Sequence, residues 1–155
     1  MLSAEEAEAF LMAPKSLEGR LHWSASGTPP HLWRAGGRIR LEDTGDRETL
    51  DLLASYNGRT ATGRFVIRYP RVNPIRRLCW HSPNSHRNPP GQKPPWVGPI
   101  HKHRWDDEWK DRIAYHPDDI PDTHFMAALE AFLHECQTSF TADALGSLKV
   151  QERWN

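Results

Sequence analysis

The stretch that decides the fold is RFVIRYP, residues 64–70, in which two kinds of side chain alternate. Successive side chains of a β-strand point to opposite faces of its sheet. The alternation therefore separates two sets, Phe65, Ile67 and Tyr69 on one face and Arg64, Val66 and Arg68 on the other. The stretch predicts a strand with one apolar and one mostly basic face.

The segments on either side are expected to be strands of the same sheet. Residues 49–56 form a β-like segment, and the Asn57-Gly58 pair that follows tolerates the positive φ of a tight hairpin turn. A helix over residues 46–56 that ends at Gly58 is the alternative. After an Asn-Pro turn, residues 75–81 are predicted to form the next strand.

A helix is predicted at each end of this strand-rich region. Ser3 and Glu6 have the spacing of a capping box, which predicts a helix over residues 4–12. Apolar side chains recur at helical spacing over residues 123–137, with Asp122 as the expected N-cap. We therefore predict an α+β fold, an antiparallel β-sheet with an N-terminal and a C-terminal helix packed on it.

Length and composition limit the class of protein. A chain of 155 residues is expected to form a single domain, residues 1–155. Cys79 and Cys136 match neither a zinc motif nor a disulfide framework, so we interpret them as ordinary buried thiols in a reducing cytosol. The acidic N-terminus lacks an apolar export signal, and no apolar run is long enough to span a membrane. A soluble cytoplasmic protein with no membrane partner is expected.

Charge is sorted along the chain, although 20 Lys+Arg balance 20 Asp+Glu. Residues 52–105 contain no acid, and their basic side chains are Arg59, Arg64, Arg68, Arg71, Arg76, Arg77, Arg87, Lys93, Lys102 and Arg104. Most of the charged side chains in residues 106–122 are acidic. A basic face attracts phosphate backbones or an acidic protein partner. The alternative is that these arginines pair with the acidic segment across the fold.

Two histidines in HKHR, residues 101–104, carry the strongest chemical signal. On a strand, His101 and His103 would point to one face and Lys102 and Arg104 to the other. Such a pair binds a transition metal if a third ligand joins it. No third ligand has an identifying spacing, and the candidates are His86, His81, His116, Asp106 and Asp107.

A metal-free reaction is the main prediction for the same histidines. One neutral imidazole would take a proton from a ribose 2′-hydroxyl and a second, protonated one would give a proton to the leaving oxygen. The predicted catalytic residues are His86, His101, His103, Arg87 and Arg104. The predicted nucleic-acid contacts are Arg64, Arg68, Arg71, Arg76, Arg77, Trp80, Lys102 and Trp105. The plain structural alternative is that His101 and His103 only bond backbone groups.

The loop before the histidine pair, residues 82–99, holds six prolines and two glycines, and Trp96 is its expected anchor. Its HRNPPG, residues 86–91, is followed by GPIHKH, residues 98–103, then by Ala-Tyr and a helix with a terminal cysteine. This combination resembles an uncharacterised bacterial family of small soluble proteins, a domain of unknown function with HRNPxG and GxxHxH motifs. The resemblance covers about residues 76–138, departs at Pro90 where an acid is expected, and implies no activity.

Three functions from different classes are therefore open. The leading one is a nucleic-acid-binding protein, specifically a metal-independent RNA-cleaving toxin or defence factor that needs no cofactor. The second is a non-catalytic interaction module whose basic face docks an acidic protein. The third is a metal-dependent hydrolase that uses the HxH pair.

Overall fold

The computed structural model describes residues 1–42, 48–69 and 72–148. Their elements in chain order are α1 (Ala4–Met12), β1 (Lys15–Glu18), β2 (Ser24–Ser26), β3 (Leu32–Leu41), β4 (Thr49–Asn57), β5 (Thr62–Arg68), β6 (Pro74–Trp80), β7 (His86–Arg87), β8 (Trp96–Val97), β9 (His101–Asp106), β10 (Lys110–Tyr115), α2 (Phe125–Glu135) and β11 (Thr138–Ser139). Two helices with a mostly antiparallel sheet confirm the predicted α+β class. No helix among the described residues is long and apolar enough to cross a membrane.

The strands form one large sheet and one small hairpin. The nine-stranded sheet has the order β10-β9-β6-β5-β4-β3-β1-β11, and β2 pairs with β3 beside this path. All pairs are antiparallel except β1 with β11. Strands β7 and β8 form the separate hairpin. Strand β5, which contains most of the RFVIRYP stretch, lies in the middle of the large sheet between β4 and β6.

Residues 49–56 form strand β4, so the alternative prediction of a helix over residues 46–56 is wrong for these described residues. The hairpin from β4 to β5 forms where the sequence predicts, with Asn57 paired to Thr62. Its loop has four residues, and the positive φ belongs to Ala61. The Asn57 carboxamide oxygen instead accepts a hydrogen bond from the Arg59 backbone N–H at 3.0 Å.

The core lies between the sheet and α2. Phe65 and Ile67 are completely buried, and the Phe65 ring lies 4.8 Å from the Phe125 ring. A Cβ at Gly63 would overlap the Phe125 ring, which explains why a residue without a side chain stands at the start of β5. The opposite face of the sheet carries the alternate residues of each strand and is not covered by α2.

The two helices begin differently. The capping box of α1 is confirmed, because the Ser3 hydroxyl accepts from the Glu6 N–H and the Glu6 carboxylate accepts from the Ser3 N–H. Helix α2 begins after His124 without a side-chain cap, so the prediction that Asp122 caps it is wrong. Burial of its apolar stripe against the sheet stabilises α2 in place of a cap.

Candidate metal centre

Three histidines from two distant segments lie together on the open face of the sheet. His101 and His103 alternate along β9, as the sequence predicts, and their ring centroids are 4.9 Å apart. The His86 ring lies 5.5 Å from that of His101 and 4.6 Å from that of His103. His101 and His103 are 3% and 1% exposed. The predicted HxH pair and the predicted loop histidine therefore form one cluster.

Asn88 explains how the proline-rich loop brings His86 to this cluster. Its buried carboxamide donates to the Ala114 carbonyl at 2.9 Å and accepts from the Ala114 N–H at 2.7 Å, so it pairs with β10 much as another strand would. A second donation reaches the Pro94 carbonyl at 2.7 Å. The His86 Nε2 lies 2.8 Å from the Arg112 carbonyl. The loop is therefore fixed along the edge of the sheet.

The anchor of this loop is not the residue that the sequence predicts. Trp96 is 57% exposed, whereas Val97 beside it is buried. The Arg87 guanidinium lies over the Trp96 ring, 5.6 Å from its centroid. Because β7 and β8 alternate their side chains, Val97 points to the protein and Trp96 to solvent, and composition alone does not reveal which of the two is buried.

Cys79 completes the cluster, and the sequence interpretation missed it. Cys79 on β6 is directly opposite His101 on β9, so the two side chains share a face of the sheet. One ligand atom each from Cys79, His101 and His103 lie within 4.8 Å of one another. Pairing the predicted strand 75–81 in register with a strand that contains residues 101–104 would have revealed the contact, but sequence spacing gave no register.

Hydrogen bonds determine which ring nitrogen of each buried histidine is free. His101 Nδ1 lies 2.7 Å from the Gly98 carbonyl, and His103 Nδ1 lies 2.8 Å from the Asp111 carbonyl. A carbonyl oxygen only accepts, which places the proton of His101 on Nδ1 and leaves a lone pair on its Nε2, and the Asp111 contact favours the same tautomer for His103. Arg77 Nη2 lies 3.0 Å from His103 Nδ1 and can only donate, so it would favour the opposite tautomer. The carbonyl contact is the shorter of the two, and Arg77 has the Asp111 carboxylate as an acceptor at 3.4 Å.

The surroundings keep both imidazoles uncharged. Burial lowers the pKa of His103 to about 3, and the neighbouring Arg77, His101 and His86 add to the effect. Burial also lowers the pKa of His101; the hydrogen bond to the Gly98 carbonyl opposes this shift, and His86, Arg77 and Arg64 add smaller lowering contributions. At neutral pH both side chains are therefore neutral donors of an electron pair.

Four of the predicted nucleic-acid contacts lie inside the protein. Arg76 donates to Glu8 at 2.6 Å and to the Tyr115 hydroxyl at 2.8 Å. Lys102, 2% exposed, reaches Asp119 and Glu135, each at 2.8 Å. The indole N–H groups of the buried Trp80 and Trp105 donate to the carbonyls of Pro121 and Leu2. This is a correction to the expected binding face, because these four side chains do not reach solvent.

Three of the remaining arginines of the basic region have acidic neighbours. Arg77 pairs with Asp111, Arg68 with Asp51, and Arg104 lies 4.0 Å from Asp106. The contacts of Arg77, Arg104 and Lys102 with acids of residues 106–122 match the alternative in which the basic and acidic segments neutralise each other. Arg64 and Arg87 are exposed. Arg71 lies outside the described residues.

Comparison with known proteins gives a family and no activity. Residues 2–138 match a family described as a family of unknown function (DUF6978). The chain belongs to this family. The predicted membership of a domain of unknown function is therefore confirmed, and the DUF6978 match extends over the first seventy residues, where the motif resemblance is weak. No curated protein matches the chain, and no solved structure matches it either.

Proposed function

We propose that this DUF6978 protein is a metal-dependent hydrolase whose metal ion is held by Cys79, His101 and His103. The observation that carries the proposal is that one ligand atom of each lies within 4.8 Å of the others. Two strands in register supply all three side chains, so the arrangement is rigid before any ion binds.

The hydrogen bonds of the two histidines support the same conclusion. Metal-binding histidines usually donate their second ring N–H to a carbonyl or carboxylate, which fixes the ring and frees the other nitrogen. His101 does this with the Gly98 carbonyl and His103 with the Asp111 carbonyl. A purely structural histidine needs no such matched pair of free Nε2 atoms.

The ligand types favour Zn²⁺. Thiolate and imidazole together suit zinc, and three protein ligands with one open position are typical of catalytic rather than structural zinc sites. Cys79 is half-buried and lines an open groove on the uncovered face of the sheet. A water on the fourth position would be reached from this groove.

We assign His86 the role of general base. Its Nε2–H donates to the Arg112 carbonyl, so its Nδ1 is free to accept a proton. The bound ion would lower the pKa of its water. His86 would take the proton, the water oxygen would bond to the substrate, and the leaving group would receive the proton as its bond breaks.

The metal-independent cleavage of RNA that the sequence favours receives less support. It requires one histidine to be protonated and in contact with the substrate, whereas His101 and His103 are both buried and uncharged. An RNA substrate, an acidic protein partner, a bacterial source and a toxin or defence role stay predictions.

The test is metal binding by protein prepared without a polyhistidine tag. We expect one Zn²⁺ per chain after exposure to zinc and dialysis, and much less for Cys79→Ser and His101→Ala. With Co²⁺, the wild type should show a thiolate-to-metal charge-transfer band that Cys79→Ser lacks. Hydrolysis should require the metal and be lost with a chelator.

His116→Ala is the matched control, because His116 is exposed and lies outside the cluster. It should bind zinc like the wild type. Equal zinc content in the wild type and in both folded ligand variants would overturn the metal centre. Zinc binding without any hydrolytic activity that the metal controls would leave a metal-binding protein and reject the hydrolase.

A further inference from the structure

A row of polar side chains crosses the open face of the sheet and ends at the candidate metal centre. The registers of neighbouring strands align Arg34 of β3, Ser55 of β4, Arg64 of β5, Cys79 of β6 and His101 of β9. Adjacent strands lie about 4.8 Å apart. The row therefore leads from two arginines to two of the proposed ligands within about 20 Å.

The two arginines of this row differ from three other arginines of the same face, whereas the exposed Arg38 is, like them, without an ion pair among the described residues. Arg40, Arg68 and Arg77 each pair with an acid, namely Glu18, Asp51 and Asp111. Within residues 1–42, 48–69 and 72–148, no carboxylate lies within ion-pair distance of Arg34 or Arg64. Both side chains are exposed. Their guanidinium groups are thus available to a ligand.

A groove joins these arginines to the metal centre. A cavity of about 290 Å³ is lined by Arg34, Ser55, Arg64 and Cys79 and also by Ser82 from the loop. A second cavity, of about 260 Å³, shares Arg34, Ser55 and Arg64 with the first. A ligand in the first cavity would contact both guanidinium groups and the Cys79 end of the cluster at once.

We infer that Arg34, Ser55 and Arg64 bind a phosphate group of the substrate beside the metal ion. Guanidinium groups bind phosphate oxygens through paired N–H donors, and a hydroxyl between them supplies one more donor. Binding of the phosphate follows from the groove itself, whereas its hydrolysis rests on the proposed function. The phosphate belongs either to a small monoester or to the backbone of a nucleic acid.

The test uses zinc-loaded protein and inorganic phosphate as the probe, with binding followed by calorimetry. We expect Arg34→Gln and Arg64→Gln each to weaken phosphate binding roughly tenfold, since each removes charged hydrogen bonds. The double variant should bind more weakly still and keep the full zinc content. Arg38→Gln, on the same strand and face as Arg34 but outside the groove, is the matched control and should bind phosphate normally.

Two further probes identify the source of the phosphate. Hydrolysis of p-nitrophenyl phosphate that depends on Arg34 and Arg64 would assign a monoester. Tighter binding of a single-stranded RNA oligonucleotide without terminal phosphates, with the same dependence, would assign a nucleic-acid backbone.

The outcomes separate this inference from the proposed function. Phosphate binding by the double variant as tight as by the wild type would overturn the inference, and so would the absence of phosphate binding to zinc-loaded wild type. Arginine-dependent phosphate binding by protein that never binds zinc would support the groove and reject the metal centre.

Discussion

Strand β9 buries polar side chains on both of its faces, and the two faces stabilise these side chains in opposite ways. Lys102 points towards α2 and keeps its charge, because Asp119 and Glu135 each approach its Nζ at 2.8 Å. His101 and His103 point the other way, have no carboxylate in hydrogen-bond contact within the described residues, and lose their charge instead. A buried group must either be paired or be neutral.

Because of this difference, one face of β9 contributes to stability and the other is suited to bind a metal ion. On the first face the Lys102 ammonium makes three contacts with carboxylate oxygens, so it has no donor left for a ligand. On the histidine side each Nδ1–H is used and each Nε2 is free, which is the condition for binding a metal ion. Substitutions on the two sides are therefore expected to have different consequences, in stability on one and in metal binding on the other.

The largest effect is expected for Lys102→Met. Removing the ammonium leaves Asp119 and Glu135 facing each other, and we expect the free energy of unfolding to fall by about 3 kcal/mol. This is the lower end of the range for a broken buried pair, because the Asp119 side chain is partly exposed. Urea denaturation measures the loss, and zinc binding by the folded variant should be unchanged.

Arg104→Met is the control on the same strand. Arg104 is exposed and only 4.0 Å from Asp106, so its replacement should change stability by no more than about 0.5 kcal/mol. A Lys102→Met protein that keeps its stability but loses zinc would contradict the division between the two faces.

Asn88→Ala should have the next largest effect and act on the loop that holds His86. It removes three side-chain hydrogen bonds and leaves the buried Ala114 N–H and carbonyl without their partner. We expect a loss of about 2–3 kcal/mol in unfolding free energy. Hydrogen exchange of the Ala114 amide should accelerate in the folded state, which NMR can measure.

Gln92→Ala tests whether this result is specific. Only the backbone N–H of Gln92 is bonded within the loop, so stability should change by about 0.5 kcal/mol or less. Unchanged exchange at Ala114 in Asn88→Ala would mean that the loop is held by other contacts.

Acid should destabilise the metal-free protein through the histidine face. The unfolded His103 binds a proton near its ordinary pKa of 6.5, whereas the folded one does so only near 3. Between these values the unfolded state binds more protons, so the stability present above pH 6.5 is lost as the pH falls. Lowering the pH from 7 to 5 should cost about 1–2 kcal/mol.

His103→Asn should reduce this pH dependence, because asparagine does not titrate. The comparison requires urea denaturation of both metal-free proteins at the two pH values. The groups that face His103 are Arg77 from β6, His101 from β9 and His86 from β7. An equal loss in both proteins would assign the acid sensitivity to other groups.

The sequence predicts the fold better than the site for a physical reason. Alternation in RFVIRYP and the capping box at Ser3 are local signals, so they locate β5 and α1 without knowledge of the rest of the chain. The pairing of Cys79 with His101 and of Lys102 with Glu135 depends on strand register and helix packing. Such contacts join residues far apart in sequence, and spacing carries no information about them.

Charge shows the same limit. The absence of acids from residues 52–105 predicts a basic face. In the folded protein, however, Asp111 forms an ion pair with Arg77, and Asp119 forms one with Lys102. What stays unpaired among the described residues of the row is Arg34 and Arg64, and Arg34 lies outside the region that the charge pattern marks. A charge pattern in sequence therefore overstates the net charge of a surface when an acidic segment follows it.

The last comparison is between the two cysteines, which are expected to differ in the reactivity of their thiols and not in their effect on stability. Cys136 is buried in the core, and burial raises the pKa of its thiol to about 12. Relative to the ordinary value of 9.0 this reduces its thiolate fraction about a thousandfold. Cys79 is half-buried beside the groove. In the native protein a thiol reagent should therefore modify Cys79 and leave Cys136 intact until the protein unfolds.

The rate at which a thiol reagent modifies Cys79, measured with and without zinc, tests the metal centre. If Cys79 is a ligand, its thiolate is shared with the ion, and zinc should slow its modification while a chelator restores the rate. Cys79→Ser should remove the native-state reaction, and Cys136→Ser should leave its rate unchanged. A Cys79 rate that is the same with and without zinc would mean that the ion, wherever it binds, does not bind this sulfur, and the proposed ligand set would be wrong.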